Sequence, residues 1–450
     1  MQRNSLILAA WSSGCGKTSL SLAFIASLRK KGIQVYPFKI GPDFLDPLYL
    51  GKVANTSCYN LDLFFSPLEH VQDLLKKDGF NLIESVMGFY DGDKQGQNST
   101  AHLAFSLDIP VFLIVEPLKA ANSLAAVVYG FCQLRQEGKL IKGIILNKYT
   151  SLRQVELLEA SLEQYNLPPL VGAFPKGSLP ELKSRYLGLY NQVDLSGADR
   201  QRLEEAGEKY FFWERISKVC AFKKEKVDSA RIKPGKRQVK KVKLGVILDE
   251  AFNFYYQAQL EALKQRGVEL VFFSSLTTKT LPSNLKGLYI GGGYPELYAS
   301  LLSVNKSLLE DIRKFGLEGG KIYAECGGLI FLTQGIGGQD KFYPLVGLLN
   351  TRVKLLPKKA YLGYVKVKIN RDCGWFRRDT LLKGHEFHYS TLLDRNVLGV
   401  ENVYEVVDSL DNPLESKGFY FKNILASYIH LYFAHQEEVL DNFYSFLKES

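Results

Sequence analysis

Cysteine is scarce in this chain, and its spacing excludes whole classes of protein. Six thiols (Cys15, Cys58, Cys132, Cys220, Cys326 and Cys373) are scattered over 450 residues without metal-ligand intervals. That pattern leaves neither a zinc site nor a disulfide framework, and it fits a reducing cytoplasm. Long apolar runs are lacking as well. None reaches the ~18 residues needed to cross a bilayer, so no membrane partner is expected. The opening "MQRNSLILAAWSSGCGKTSL" is apolar for a few residues and then enters a glycine loop, which reads as a buried strand and not a signal peptide. What remains is the composition of a folded protein, 46% hydrophobic and 23% charged. Its length exceeds one ordinary core, so two or more domains are expected.

The formal charge of +10 invites a nucleic-acid reading until it is located. Residues 223–243, "KKEKVDSARIKPGKRQVKKVK", hold ten Lys/Arg and two acids, a net +8 that leaves +2 for everything else. A nucleic-acid partner needs basic residues spread over a face, so none is expected. A charged Pro-Gly segment between two periodic halves reads as a solvated linker.

Both halves repeat strand, turn and helix. In the first, "SLILAA", "IQVYPFKI", "FNLIESVMGF", "IPVFLIVEP" and "KGIILNKY" are short apolar runs between amphipathic segments. The second restarts with "KLGVILDE", "VELVFFSS", "GLYIGGGYPE" and "KIYAECGG". Such alternation predicts parallel sheets covered by helices, hence an α/β protein of two domains. The expected division is a first domain over 1–220, a basic linker over 221–242 and a second domain over 243–450.

"WSSGCGKTSL" follows a strand and opens a helix. Gly14 and Gly16 allow a tight turn whose N–H groups face an anion at the positive helix end, with Ser13 and Cys15 in the same loop. Lys17 would reach the β- and γ-phosphates and the Thr18 hydroxyl would sit on Mg²⁺. A strict G-x-x-x-x-G-K-[ST] match fails because position 11 is tryptophan. An ordinary helix start with a lysine also presents such a turn, but Gly-x-Gly-Lys-Thr at a strand-to-helix junction is hard to obtain without a phosphate to hold. Acids gather at the expected carboxyl edge of the sheet: Asp43 and Asp46, with Lys39, in "FKIGPDFLDP", and Glu84 and Asp91 in "LIESVMGFYDG". Oxygen donors beside a phosphate loop suit Mg²⁺; a helix N-cap is the competing use for an Asp.

In the second half, "YAECGGL" places Cys326 at a strand end, before Gly327 and Gly328. "YIGGGYPEL" supplies a flexible turn whose Gly292 or Gly293 N–H, with that of Gly327, would form an oxyanion hole. A base must come from six histidines. His430, in the alternating apolar "ASYIHLYF", would by itself be an ordinary core residue. Beside a cysteine elbow and a Gly-Gly-Gly turn, Cys–His catalysis becomes the better reading.

Nearly the whole chain resembles the cobyrinate a,c-diamide synthase family, glutamine-dependent amidotransferases of corrin synthesis. The resemblance rests on "SSGCGKTS", "PFKIGPDFLDP", "YNLDLFF", "IESVMGFYDG", "AFNFYY", "GGGYPELY", "AECGGL", "GHEFHYS" and "SYIHLYF", all in the family's order, "GPDFLDP" being the most discriminating. It implies a dethiobiotin synthetase-like P-loop domain with helices on both faces of its sheet, joined to a class I glutaminase domain. It also implies ATP and Mg²⁺ as cofactors and, as substrates, glutamine and a carboxylate of a tetrapyrrole (corrin), in a monomer or homodimer.

By position, Lys17, Thr18, Lys39, Asp43 and Glu84 correspond to phosphate and Mg²⁺ handling, Asp46 and Asp91 to acids near the reacting carboxylate, and Cys326 and His430 to nucleophile and base. The departures are Ala10-Trp11 for the usual Gly-Thr, Ser85 for Gly, and Lys183 and Tyr186 for Pro and His; the His-x-Glu of most class I glutaminases is absent after His430, as the resemblance to this family implies. Related enzymes acting on hydrogenobyrinic acid or nickel sirohydrochlorin share these motifs, and the moderate length disfavours the former. A P-loop ATPase switch with an inactive glutaminase domain is the alternative from another class. Retention of Cys326, His430 and the turn glycines counts against it.

Overall fold

The computed structural model describes residues 4–94, 96–117, 120, 122–181, 195–222, 241–337, 341–357, 361–394, 397 and 399–449. Most of the expected linker, 223–240, and both Lys183 and Tyr186 lie outside them. Two compact units divide the chain, one built from described residues up to 181 with 195–222, the other from 241 onward.

The first unit is organised by a seven-stranded, all-parallel sheet. Its edge-to-edge order is Tyr59–Leu61, Val35–Ile40, Phe80–Glu84, Ser5–Ala10, Val111–Val115, Ile141–Tyr149 and Leu170–Pro175. The strand Ser5–Ala10 is buried at all six positions, as an unbroken apolar run must be when both sheet faces are covered. One face packs on the helix Lys17–Lys30, whose Phe24 stacks on Phe80 and meets Phe211 edge-on and Trp213 tilted. Gly16, at φ 80°, starts that helix in a left-handed conformation that glycine adopts without strain. Arg29 and Lys30 in its last turn oppose the negative helix end. Because Ser5–Ala10 lies between strands that come later in sequence, the order reverses beside it, and its carboxyl end is where such sheets bind ligands.

The second unit has a parallel core ordered Ile424–Ser427, Lys321–Glu325, Gly287–Ile290, Val242–Ile247 and Val268–Phe273. Gly418–Phe421 and Glu401–Asn402 extend one edge antiparallel. A separate antiparallel sheet orders Pro413–Leu414, Tyr404–Asp408, Tyr361–Ile369, Leu381–His388 and Ile429–Tyr432. Between Ile424–Ser427 and Ile429–Tyr432 only Tyr428 intervenes, so the chain steps from one sheet to the other within a residue. That step delivers His430 to the carboxyl edge of the parallel core. No helix among the described residues is long and apolar enough to cross a membrane.

Candidate active sites

In the first unit, register brings together the residues expected to handle phosphate. Lys39 pairs across the sheet with Glu84, and Leu8 with the same residue from the other side. The Lys39 ammonium donates to Asp46 Oδ2 and Glu84 Oε1 at 2.7 Å each and to the Ser85 carbonyl at 3.0 Å. All three side chains are buried, a condition charges tolerate only when paired and hydrogen-bonded. The Thr18 hydroxyl donates to Glu84 Oε1 at 3.0 Å and reaches Asp46 Oδ1 at 3.3 Å, which ties the helix start to the same knot.

Gly14 and Gly16 both have φ near 80°, and a methyl on Gly16 would sit 2.5 Å from Asn147 Nδ2. Asn147 in turn donates to the Cys15 carbonyl at 2.9 Å, and Lys148 to that of Gly14 at 2.8 Å, so the loop is pinned from the strand Ile141–Tyr149, two places along the sheet from Ser5–Ala10. Trp11, the departure from the usual motif, turns its indole N–H onto Cys15 Sγ at 2.8 Å. Ser12, Ser13 and Gly14 stay exposed. Lys17 donates to the Met87 carbonyl at 2.7 Å, its pKa lowered by burial and by Lys39.

The remaining acids separate. Asp43 accepts the N–H groups of Leu45 and Asp46 through Oδ1, the capping use, while its Oδ2 faces Lys39 at 3.9 Å. Asp46 belongs to the Lys39 knot. Asp91 is exposed and accepts the Gly88 N–H at 2.8 Å, with its charge reaching Lys17. Glu84 Oε2 is enclosed and has no hydrogen-bond partner. An enclosed carboxylate oxygen next to a threonine hydroxyl fits a hard divalent cation. Lys39 stands among the acids, and among the described residues no three His, Cys, Asp or Glu converge on one point. A Mg²⁺ that arrives on phosphates needs only one or two protein carboxylates.

In the second unit, Cys326 occupies the junction between the strand Lys321–Glu325 and the short helix Gly327–Leu332, at φ 49°, ψ −102°. A non-glycine residue held there stores roughly 1–3 kcal/mol of backbone strain. The glycines around it are required by contact. A methyl on Gly328 would lie 2.2 Å from the Ile290 carbonyl oxygen, and one on Gly327 would lie 3.0 Å from the Gly293 nitrogen. The elbow thus packs directly on the Gly291–Gly293 turn, and the Gly293 and Gly327 backbones converge as an oxyanion site requires. The Cys326 N–H is held by the Ser427 carbonyl at 2.7 Å, and its thiol donates to Phe387 O at 3.6 Å.

His430 stacks on His385 with centroids 4.8 Å apart and 12° between planes; the two are paired in register across their strands. A methyl on Gly292 would fall 2.2 Å from His430 Cε1 and 2.8 Å from Nε2. Gly292, expected as an oxyanion donor, is therefore also the floor on which the imidazole rests. Burial and the charges of His385 and His388 hold His430 well below the usual histidine pKa, and burial pushes the Cys326 thiol up. Both groups are uncharged at rest, the imidazole with one of its two ring nitrogens unprotonated.

Sequence reasoning passed over Glu325, which lies inside the strand before the nucleophile. It is fully buried, accepts from Tyr323 at 2.7 Å, Tyr289 at 2.8 Å and the Leu431 N–H at 3.0 Å, and is raised to about 7 by burial. Its carboxylate ties together the strands of the nucleophile, the glycine turn and the histidine. Gln259 extends the same network, donating to Tyr289 Oη at 3.2 Å and accepting the Phe433 N–H at 3.0 Å.

A phosphate-loop sheet and a cysteine-elbow sheet in one chain define an amidotransferase that couples a nucleotide-binding unit to a glutaminase unit. Family models agree in both places. Residues 6–185 match the CobQ/CobB/MinD/ParA nucleotide binding domain, and residues 243–438 match the CobB/CobQ-like glutamine amidotransferase domain. Over the whole length the chain is similar to proteins named cobyrinate a,c-diamide synthase. That of Syntrophotalea carbinolica is 36% identical, covering 95% of each chain. That of Caldanaerobacter subterraneus is 36% identical with 94% of each covered, and that of Thermoplasma volcanium 34% with 95% of this chain and 94% of the other. The chain belongs to the cobyrinate a,c-diamide synthase family, glutamine-dependent amide-forming ligases.

Proposed function

We propose that the protein converts the a- and c-acetate carboxylates of cobyrinic acid to amides, using glutamine and Mg·ATP. The observation that carries this is the strained Cys326 elbow, packed on the glycine turn that also seats His430.

In the glutaminase unit, His430 takes the thiol proton as Cys326 Sγ attacks the side-chain carboxamide carbon of glutamine. The oxyanion so formed meets the Gly293 and Gly327 N–H groups. Collapse breaks the C–N bond, and the imidazolium returns its proton to the departing ammonia. Water then cleaves the thioester to glutamate, again through the oxyanion. In the other unit, the γ-phosphoryl group of ATP passes to the substrate carboxylate. Ammonia attacks the acyl carbon and phosphate leaves, which a bare carboxylate oxygen is too basic to do. The backbone of Gly14–Gly16 and the Lys17 ammonium hold the phosphates, with Lys39 fixing Glu84 and Asp46 beside them. Mg²⁺ held by Thr18, Glu84 and Asp43 would neutralise charge on the transferred group. Asp46 and Asp91 are assigned to the side on which the carboxylate reacts.

The test is mass spectrometry of cobyrinic acid incubated with protein, glutamine and Mg·ATP. Two carboxylates should become amides, and Cys326→Ala should abolish this with glutamine but retain it with added ammonium. Failure on cobyrinic acid with success on nickel sirohydrochlorin or hydrogenobyrinic acid would reassign the ring. Failure on all three would overturn the reading.

A further inference from the structure

One acid near the nucleophile has no part in the chemistry above. Glu296 follows the glycine turn in "GGGYPELY"; it is half-buried, but its Oε2 is enclosed and has no hydrogen-bond partner. The ring of the preceding Pro295 packs on the elbow, its Cδ lying 2.9 Å from where a methyl on Gly327 would be. The Glu296 charge bears on both the Cys326 thiol and the Tyr428 hydroxyl. Tyr428 stacks on His388, with ring centroids 3.8 Å apart.

A carboxylate oxygen enclosed without a partner is costly, and burial pushes the Glu296 carboxyl up to about 7. That cost falls when a cation docks on Oε2. The expected substrate carries one: the α-ammonium of glutamine, a few bonds from the carboxamide that must reach Cys326. We propose that Glu296 is the α-ammonium subsite for glutamine. The inference rests on the glutaminase reading of this site.

The experiment follows glutamate formation by the full-length protein with Mg·ATP and cobyrinic acid, comparing glutamine with glutaramate, which lacks the α-ammonium. Glu296→Gln should raise KM for glutamine by about 10- to 100-fold, the range of a hydrogen bond to a charged group, with a smaller effect on kcat. On glutaramate kcat/KM should match the unaltered protein, and Glu296→Asp should restore part of the loss on glutamine. Equal losses on both donors would make Glu296 a structural residue, and no loss on glutamine would remove it from the site; either result overturns the proposal. An unaltered protein that hydrolyses no glutamine, yet amidates with ammonium, would overturn the glutaminase reading itself, and the subsite with it. Thermal melting of each variant separates a folding defect from a recognition defect.

Discussion

Replacing Gly292 by alanine puts one methyl group where the imidazole of His430 already is. The new carbon would stand 2.2 Å from Cε1, 2.8 Å from Nε2 and 3.3 Å from Nδ1, whereas ordinary contact begins near 3.4 Å. The ring must therefore retreat by about 1.2 Å, the difference between 3.4 and 2.2 Å. It has little room to do so. His385 stacks on it at 4.8 Å, and the Phe254 ring lies 6.5 Å away. Its backbone is equally confined, because a methyl on Gly384 would already be 2.3 Å from the His430 carbonyl oxygen. A misplacement of ~1 Å costs about 10²-fold in a proton-transfer geometry, so kcat for glutamine hydrolysis should fall about 100-fold, or ~2.7 kcal/mol of barrier. KM for glutamine should change little, since binding contacts are untouched, and amidation driven by added ammonium should persist. Overpacking should also lower stability by about 1–3 kcal/mol, visible in a urea titration. The measurement is steady-state glutamate release alongside ammonium-driven amidation. A Gly292→Ala protein with kcat within threefold of the parent would refute the placement of His430 as base above this turn.

Two other perturbations have definite signs. Glu325 titrates near 7 in the folded protein against an ordinary 4.5, so its protonated form is favoured by folding. That contribution is present below pH 4.5 and is lost as the pH rises through 7, amounting to roughly 3 kcal/mol. Glu325→Gln should flatten the stability profile between pH 5 and 8 in denaturant titrations, and an unchanged slope would contradict the assignment. Lys39→Met leaves Glu84 and Asp46 buried without their cation; it should cost about 3–5 kcal/mol in urea unfolding and abolish nucleotide binding by calorimetry. Retained nucleotide affinity would show that the knot is structural only.

Local punctuation was what made the fold readable. "SLILAA" ends at a glycine loop, and the strand occupies those six residues, Ser5–Ala10. The helix that "WSSGCGKTSL" opens begins at Lys17 and runs to Lys30. Cys326 was legible because an apolar run, a single residue and two glycines can only make a sharp turn. What escaped was set by register between distant segments. Nothing around Glu325 announces that Tyr289 lies beside it on one strand and Leu431 on another, 36 and 106 residues away in sequence. The antiparallel sheet holding His385 and His430 is built from pairings across long separations, so its alternation reads locally as an ordinary apolar segment. Gly292 was expected as a donor, but its lack of a side chain answers to an imidazole from the far end of the chain. Asp43 shows an expectation split in two by geometry, one oxygen capping a helix and the other facing Lys39.

The left-handed backbone at Cys326 leaves a mark on how this lineage diverges. A side chain at φ 49° is retained only while something is gained from the thiol it presents. In a descendant fed by free ammonia, or recruited to a role without glutamine, selection for the sulfur lapses while the conformational cost stays. Glycine is the substitution that relieves it. Drift at this one position therefore records whether a descendant still draws its nitrogen from glutamine, and it should do so before any change is visible in the fold.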